Sequence, residues 1–201
     1  MGDTKRLRKK YRTPSHPWNK KTIEEERKIV NEYGLKKKKE IHIASSFLKK
    51  YKDIAKKLIA DETPQGEKEK KQMMGMLQKY GFVQENARLD DVLRLQLSDV
   101  LQRRIQTIIQ KKGMAKTAKQ ARQFITHGHV IVGEKRITSP SYLVSTAEEA
   151  FLAFKTTSGF SQEDHPERAT AGKATKEKFI KKQEAAAERR KLPVRKMRQR
   201  R

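Results

Sequence analysis

The chain has 201 residues and sets 49 lysines and arginines against 24 aspartates and glutamates, a formal charge of +25. Self-repulsion on that scale calls for a polyanion, either nucleic acid or an anionic membrane surface. No apolar run of about 18 residues exists to span a bilayer, and a single tryptophan is poor material for a membrane-lying helix. With no cysteine, disulfides and thiolate metal sites are excluded and a reducing compartment is expected. The start is too charged for a signal peptide, and Arg6 stands where a myristoylation motif wants Ser or Thr.

The charge is uneven. Residues 1–21 are net +7 and residues 168–201 net +11, so two tails carry +18 of the +25. Between them the balance is closer to that of an ordinary globular protein. This predicts a modest folded body with two arms that order on a partner. The stretch Glu163-Asp164-His165-Pro166-Glu167 is expected to part the last domain from the C-terminal tail.

In the N-terminal arm, Thr13-Pro14-Ser15-His16-Pro17-Trp18 is interrupted by two prolines and is not expected to be helical. Trp18 is expected to anchor the arm in a small core, with base stacking as its other use. Thr22-Ile23-Glu24-Glu25 reads as a capping box with acids in the first turn. Gly34 ends that helix. After Lys36-Lys37-Lys38-Lys39, a long helix is predicted from about Glu40 to Asp61. Its apolar face is Ala44, Phe47, Leu48, Tyr51, Ile54, Ala55, Leu58 and Ile59. Lys49, Lys50, Lys52, Lys56 and Lys57 lie opposite and suit phosphate contact.

Thr63-Pro64-Gln65-Gly66 is predicted as a turn. A helix follows near Lys68 to Lys79, with Met73, Met76 and Leu77 as packing. Leu89 to Leu93 reads as a short helix, and Ser98 as the cap of the next one. Arg103-Arg104-Ile105-x-x-Ile108-Ile109 continues with helical spacing. Thr117 is the expected N-cap of a helix from Ala118 to His127 that buries Ala121, Phe124 and Ile125. Gly128 stops it. Val130 to Val132, the turn Gly133 to Lys135, and Arg136-Ile137 read as strand, turn, strand.

Little points to catalysis. His16, His42, His127, His129 and His165 have no carboxylate spaced to complete a metal site. No glycine-rich loop leads to Lys-Ser/Thr, no nucleophile elbow occurs, and Asp90-Asp91 diverge on a helix. The chain is expected to be a non-enzyme, without cofactor, metal or small-molecule substrate.

A basic helix, Thr117 opening a second helix with Ala121-Arg122, then Gly128-x-Val130-x-Val132, a tight turn, Pro140 and Val144 together resemble a known pattern. It is the RNA-binding module named after small-subunit ribosomal protein S-four. Lys9-Lys10-Tyr11-x-Thr13-Pro14-x-His16-Pro17-Trp18, Glu24-Glu25-Glu26 and Glu32-Tyr33-Gly34-Leu35 resemble the N-terminus of the same ribosomal family in its archaeal and eukaryotic branch. The resemblance covers about residues 1–155. Arg88-Leu89-Asp90 mimics the module's opening triplet but lies too far upstream of Thr117. Arg104-Ile105-Gln106 takes that place, with Gln106 for the usual Asp. Ala118 stands where the family often has Arg, which moves the expected RNA contact to Lys116 or Lys119.

The resemblance implies an α+β chain with four parts. These are a basic N-terminal arm (1–21), a helical N-terminal domain (22–98), a module of two helices and a short antiparallel sheet (99–155), and a basic tail (156–201), expected to be disordered in isolation. Within that tail, Lys173 to Lys191 could turn helical on RNA around Phe179 and Ile180. The resemblance also implies a structural constituent of the small ribosomal subunit in the cytoplasm, present in one copy. It would bind 16S-type rRNA directly, nucleate assembly and influence decoding accuracy beside the S-five and S-twelve families. Expected RNA contacts are Arg103, Arg104, Lys111, Lys112, Lys116, Thr117, Lys119, Gln120, Arg122, Gln123, His127, His129, Lys135 and Arg136 in the module, and Arg6, Arg8, Lys9, Lys10 and Arg12 in the arm. Cationic faces displace counterions from phosphates and the second helix's N-terminus offers N–H groups to the same anions. Two other readings share the module: an RNA-modifying enzyme and a ribosome-associated RNA chaperone.

Overall fold

A computed structural model describes residues 9, 11–61, 63–162 and 165. Arg6, Arg8, Lys10 and the segment from Lys173 to Lys191 lie outside the described residues.

The first unit is helical. α1 (Lys20–Glu32) starts earlier than expected because Asn19, not Thr22, is its cap: the Asn19 side chain accepts from Lys21 N–H. Gly34, at φ +59°, closes it, and Leu35 N–H returns to the Val30 carbonyl. α2 (Lys38–Ala60) is the long helix. It buries Ala44, Ala55 and Leu58, while Ile59, expected to pack, is 49% exposed. α3 (Pro64–Lys79) takes in the predicted turn, since Thr63 Oγ1 caps Gly66 N–H and Pro64 fills the first helical position. Met73 and Leu77 pack inward and Met76 stays half exposed.

α4 (Leu89–Arg94) and α5 (Leu97–Gln102) are single turns and a half. Ser98 does not cap α5: the Asp99 carboxylate holds Gln96 N–H at 2.7 Å, which makes Gln96 the cap residue. Two cores result. Ala55, Leu58, Met73, Leu77, Leu89 and Val92 form one, and Leu35, Ile41, Ala44, Val100 and Leu101 the other. Trp18 joins neither. It is 89% exposed, which corrects its expected role as anchor.

The second unit pairs α6 (Ile105–Lys111) and α7 (Ala118–Thr126) with a three-stranded antiparallel sheet of order β2-β1-β3. Its strands are β1 (Val130–Val132), β2 (Lys135–Arg136) and β3 (Leu152–Phe154). Between β2 and β3 lies α8 (Thr146–Ala150), capped by Ser145. Alternation buries Val130, Val132, Leu152 and Phe154 against Ile105, Ile109, Phe124 and Ile125. Phe160 also packs on this core, so the module's packing runs past the boundary expected at 155. The chain is thus α+β, with a helical part followed by a small sheet-bearing module. None of the helices among the described residues is long and apolar enough to cross a membrane.

Candidate nucleic-acid interface

α7 is placed by its own sequence. Thr117 Oγ1 accepts from Gln120 N–H at 3.2 Å, as expected of a Thr N-cap, and Ala121, Phe124 and Ile125 turn inward. Gly128 at φ +73° then reverses the chain into β1. What remains outside is Lys116, Lys119 and Gln123, with His127, Lys135 and Arg136 exposed at the far end. Arg136 donates to the His127 carbonyl at 3.3 Å, so the β-turn folds back over the end of α7. Lys119 and Lys135 are in no ion pair among the described residues. Lys135 acts on the charge of Glu148, yet both cations are exposed, one on the helix and one on the hairpin, and so suit an external anion.

Several expected contacts are committed elsewhere. Arg104 is not on a helix: it precedes α6 in extended conformation and bridges to Leu143. Its side chain, 5% exposed, donates to Glu40 at 2.5 Å. Arg122 reaches the same carboxylate at 2.9 Å. Arg103 binds Glu149 at 2.8 Å and the Val144 carbonyl at 2.9 Å. Lys111 donates to Gln102 and Lys112 to the Glu149 carbonyl. Gln120 Oε1 accepts from Lys116 N–H at 2.7 Å. These residues shape the surface, and Arg104 in particular is removed from it.

The link between the two units was not visible in the sequence. Burial pushes the Glu40 carboxyl up, but hydrogen bonds from Arg122 and Arg104 and their charges outweigh this and leave it below the ordinary value. Gln106 is buried. Its amide faces the carbonyls of Tyr33, Gly34 and Ala118 at 3.2, 3.1 and 2.8 Å. A carboxylate could not donate there. Both ties have sequence separations of 64 or more between helical unit and module, beyond any local pattern.

His129 is half buried and not free: its Nδ1 lies 3.0 Å from Ser158 Oγ, and Phe160 meets its ring edge-on at 4.9 Å. Burial, then the charges of His127 and Arg136, hold its pKa below the usual value. It is therefore a neutral ring in a small aromatic group at neutral pH. In the arm, Arg12 N–H donates to Ser46 Oγ at 2.9 Å, and Tyr11 stacks on His42 at 6.4 Å between ring centroids. Lys9 and Arg12 thereby lie against α2. No group of three or more His, Asp or Glu among the described residues could hold a metal.

Residues 103–149 match the S4 domain. The chain is 50% identical over 172 residues to the small ribosomal subunit protein uS4 of Methanococcus maripaludis strain C7, covering 85% of this chain and 97% of the relative. It is 48% identical over 174 residues to the uS4 protein of Methanococcus aeolicus, with coverages of 86% and 98%. With the uS4 protein of Methanococcus vannielii the identity is 48% over 172 residues, covering 85% and 97%.

Proposed function

This chain belongs to the uS4 family of small ribosomal subunit proteins, and on that premise we propose that its module grips small-subunit rRNA through phosphates. It is a structural, non-enzymatic constituent of the small ribosomal subunit in the cytoplasm, with rRNA and small-subunit proteins as its partners. The observation that carries the finer reading is a coincidence of place. The S4 domain, residues 103–149, is where Lys116, Lys119, Gln123 and His127 recur along the exposed side of α7, with the exposed Lys135 and Arg136 on the hairpin that follows.

Such a face recognises the backbone's shape, because an A-form duplex hides its major-groove edges. Gln123 and His127 are placed to add polar contacts to sugars or bases. Lys9 and Arg12 extend the contact along α2, Arg104 and Arg122 serve by fixing the module on the helical unit through Glu40, and Arg103 ties the start of the module to its end. The reading includes direct, early binding to a 16S-type rRNA junction, help in nucleating the subunit body, and an influence on decoding accuracy. Neighbours from the S-five and S-twelve families and one copy per subunit are part of the same proposal and rest on family resemblance.

The test is the salt dependence of binding to small-subunit rRNA. Log affinity should fall against log salt by about 0.7 to 0.9 per phosphate neutralised. A flat response would refute phosphate-led binding.

A further inference from the structure

Two of the ties between the helical unit and the module differ in kind. The bridge from Arg104 and Arg122 runs through the Glu40 carboxylate, and so meets the helical unit at a single spot on α2. Gln106, in the first turn of α6 and 1% exposed, adds a second spot on α1. Its Nε2 lies 3.2 and 3.1 Å from the Tyr33 and Gly34 carbonyls at the end of α1. The same nitrogen is 2.8 Å from the Ala118 carbonyl at the start of α7. Its Oε1, by contrast, is buried with no hydrogen-bond partner. The amide is thus held by its donor end alone, two hydrogens serving three acceptors drawn from two units. At this place a Cβ on Gly34 would sit 2.7 Å from the Ala118 Cβ, so the end of α1 touches the start of α7. Lys116 and Lys119 stand on either side of Ala118 in the chain, and both are exposed.

We propose that Gln106 is a positioning residue for RNA binding: it ties the start of α7 to the end of α1 and so sets the module's cations at a fixed distance and angle from those of the helical unit. It rests on the RNA-binding reading above. A folded RNA presents its phosphates at fixed spacing, so two cationic faces of one chain engage it together only where their separation matches. Rigid placement removes the ordering cost that a swivelling module incurs on binding. Gln106 is buried and touches no RNA, so the number of phosphates neutralised does not depend on it. Its loss should lower affinity and leave the salt slope in place, whereas loss of a contacting lysine lowers the slope.

The full chain with Gln106→Leu or Gln106→Glu tests this. The sequence has no cysteine, so spin labels on Glu69→Cys in α3 and Glu134→Cys in the hairpin turn report the distance between the two units. The labelled wild type should give one narrow distance distribution and Gln106→Leu a broad one, with helix content retained by circular dichroism. Affinity for small-subunit rRNA should fall about tenfold or more in Gln106→Leu, at an unchanged salt slope. Gln106→Glu keeps the size of the side chain and carries the test if leucine unfolds the protein. An ionised carboxylate repels the three carbonyls, and a protonated one donates to them. Its affinity relative to wild type should therefore recover as pH falls from about 8.5 to about 6, the range into which burial raises a carboxyl. Gln106→Leu should show no such recovery. An unchanged distance distribution overturns the fastening role, and a broadened one with wild-type affinity overturns its part in RNA binding. A wild-type chain whose rRNA affinity ignores salt would instead sink the phosphate reading on which the proposal stands.

Discussion

The carboxylate of Glu40 and the guanidinium of Arg104 meet at 2.5 Å, joining α2 to the residue that opens the module's first helix. Arg122 of α7 completes the bridge at 2.9 Å. Removing Glu40 would leave the Arg104 charge, 5% exposed, without a counterion. Glu40→Ala should therefore cost about 3 kcal/mol or more, since breaking one side of a buried pair strands the other. Urea unfolding of the full chain measures it, and a loss under about 1 kcal/mol would show that water reaches Arg104 freely.

The same residue sets an acid limit. Its folded pKa lies below the ordinary carboxylate value of 4.5. A lowered carboxylate contributes stability that is present above the unfolded pKa and lost as pH falls through the folded one. Thermal stability should thus drop as the solution is acidified below about pH 4.5, and Glu40→Gln should flatten part of that drop. An identical acid profile in the variant would remove Glu40 from the account.

Two glycines should respond unequally to alanine. Both have positive φ, +59° at Gly34 and +73° at Gly128, and share a backbone penalty of about 1–2 kcal/mol. A Cβ at Gly34 would sit 2.7 Å from Ala118 Cβ and 3.1 Å from the Ala118 backbone, which packing cannot move cheaply. At Gly128 the obstruction is the Arg136 guanidinium at 2.2 Å, the tip of a flexible, exposed side chain. Gly34→Ala should be the more destabilising in thermal melts, and the reverse order would mean that α1 and α7 can slide apart.

Tyr142 donates to Glu148 at 2.8 Å. That hydrogen bond, followed by burial and the Glu148 charge, pushes the phenol up to about 12. A raised acid of this kind holds its proton longer when folded, so its stabilising contribution is full below the unfolded value of 10.0 and is lost as pH rises towards about 12. Ultraviolet titration of the wild type against Tyr142→Phe should show the late-ionising tyrosine missing from the variant. If the difference spectrum titrates near 10, the Tyr142–Glu148 bond does not persist in solution.

Much of this architecture was legible locally. The Thr117 cap, the inward face of α7, the Gly128 stop and the β1–β2 turn each follow from a few adjacent residues, and the match to the module followed from them. The misses are of two kinds. Asn19 displaced Thr22 and Gln96 displaced Ser98 because more than one residue could cap, and the local hydrogen bonds that form are those of Asn19 to Lys21 N–H and of Asp99 to Gln96 N–H. β3 is only Leu-Ala-Phe, too short to announce itself beside a helix-capping Ser145. The second kind is nonlocal. Glu40 looks like any glutamate in a first helical turn, and Arg104 and Arg122 look like RNA contacts, until the fold brings all three together. A strongly basic composition hides such structural cations, since nothing in spacing alone marks which ones are paired inside.

A fixed constituent of the small ribosomal subunit stays on the particle when transient factors are washed away. The most direct measurement is the number of copies that remain on small subunits after a high-salt wash, by quantitative mass spectrometry against other subunit proteins. A value near one per particle is predicted. Recovery well below one, with the chain released by the wash while neighbouring subunit proteins stay, would contradict the claim and point to a transient RNA chaperone.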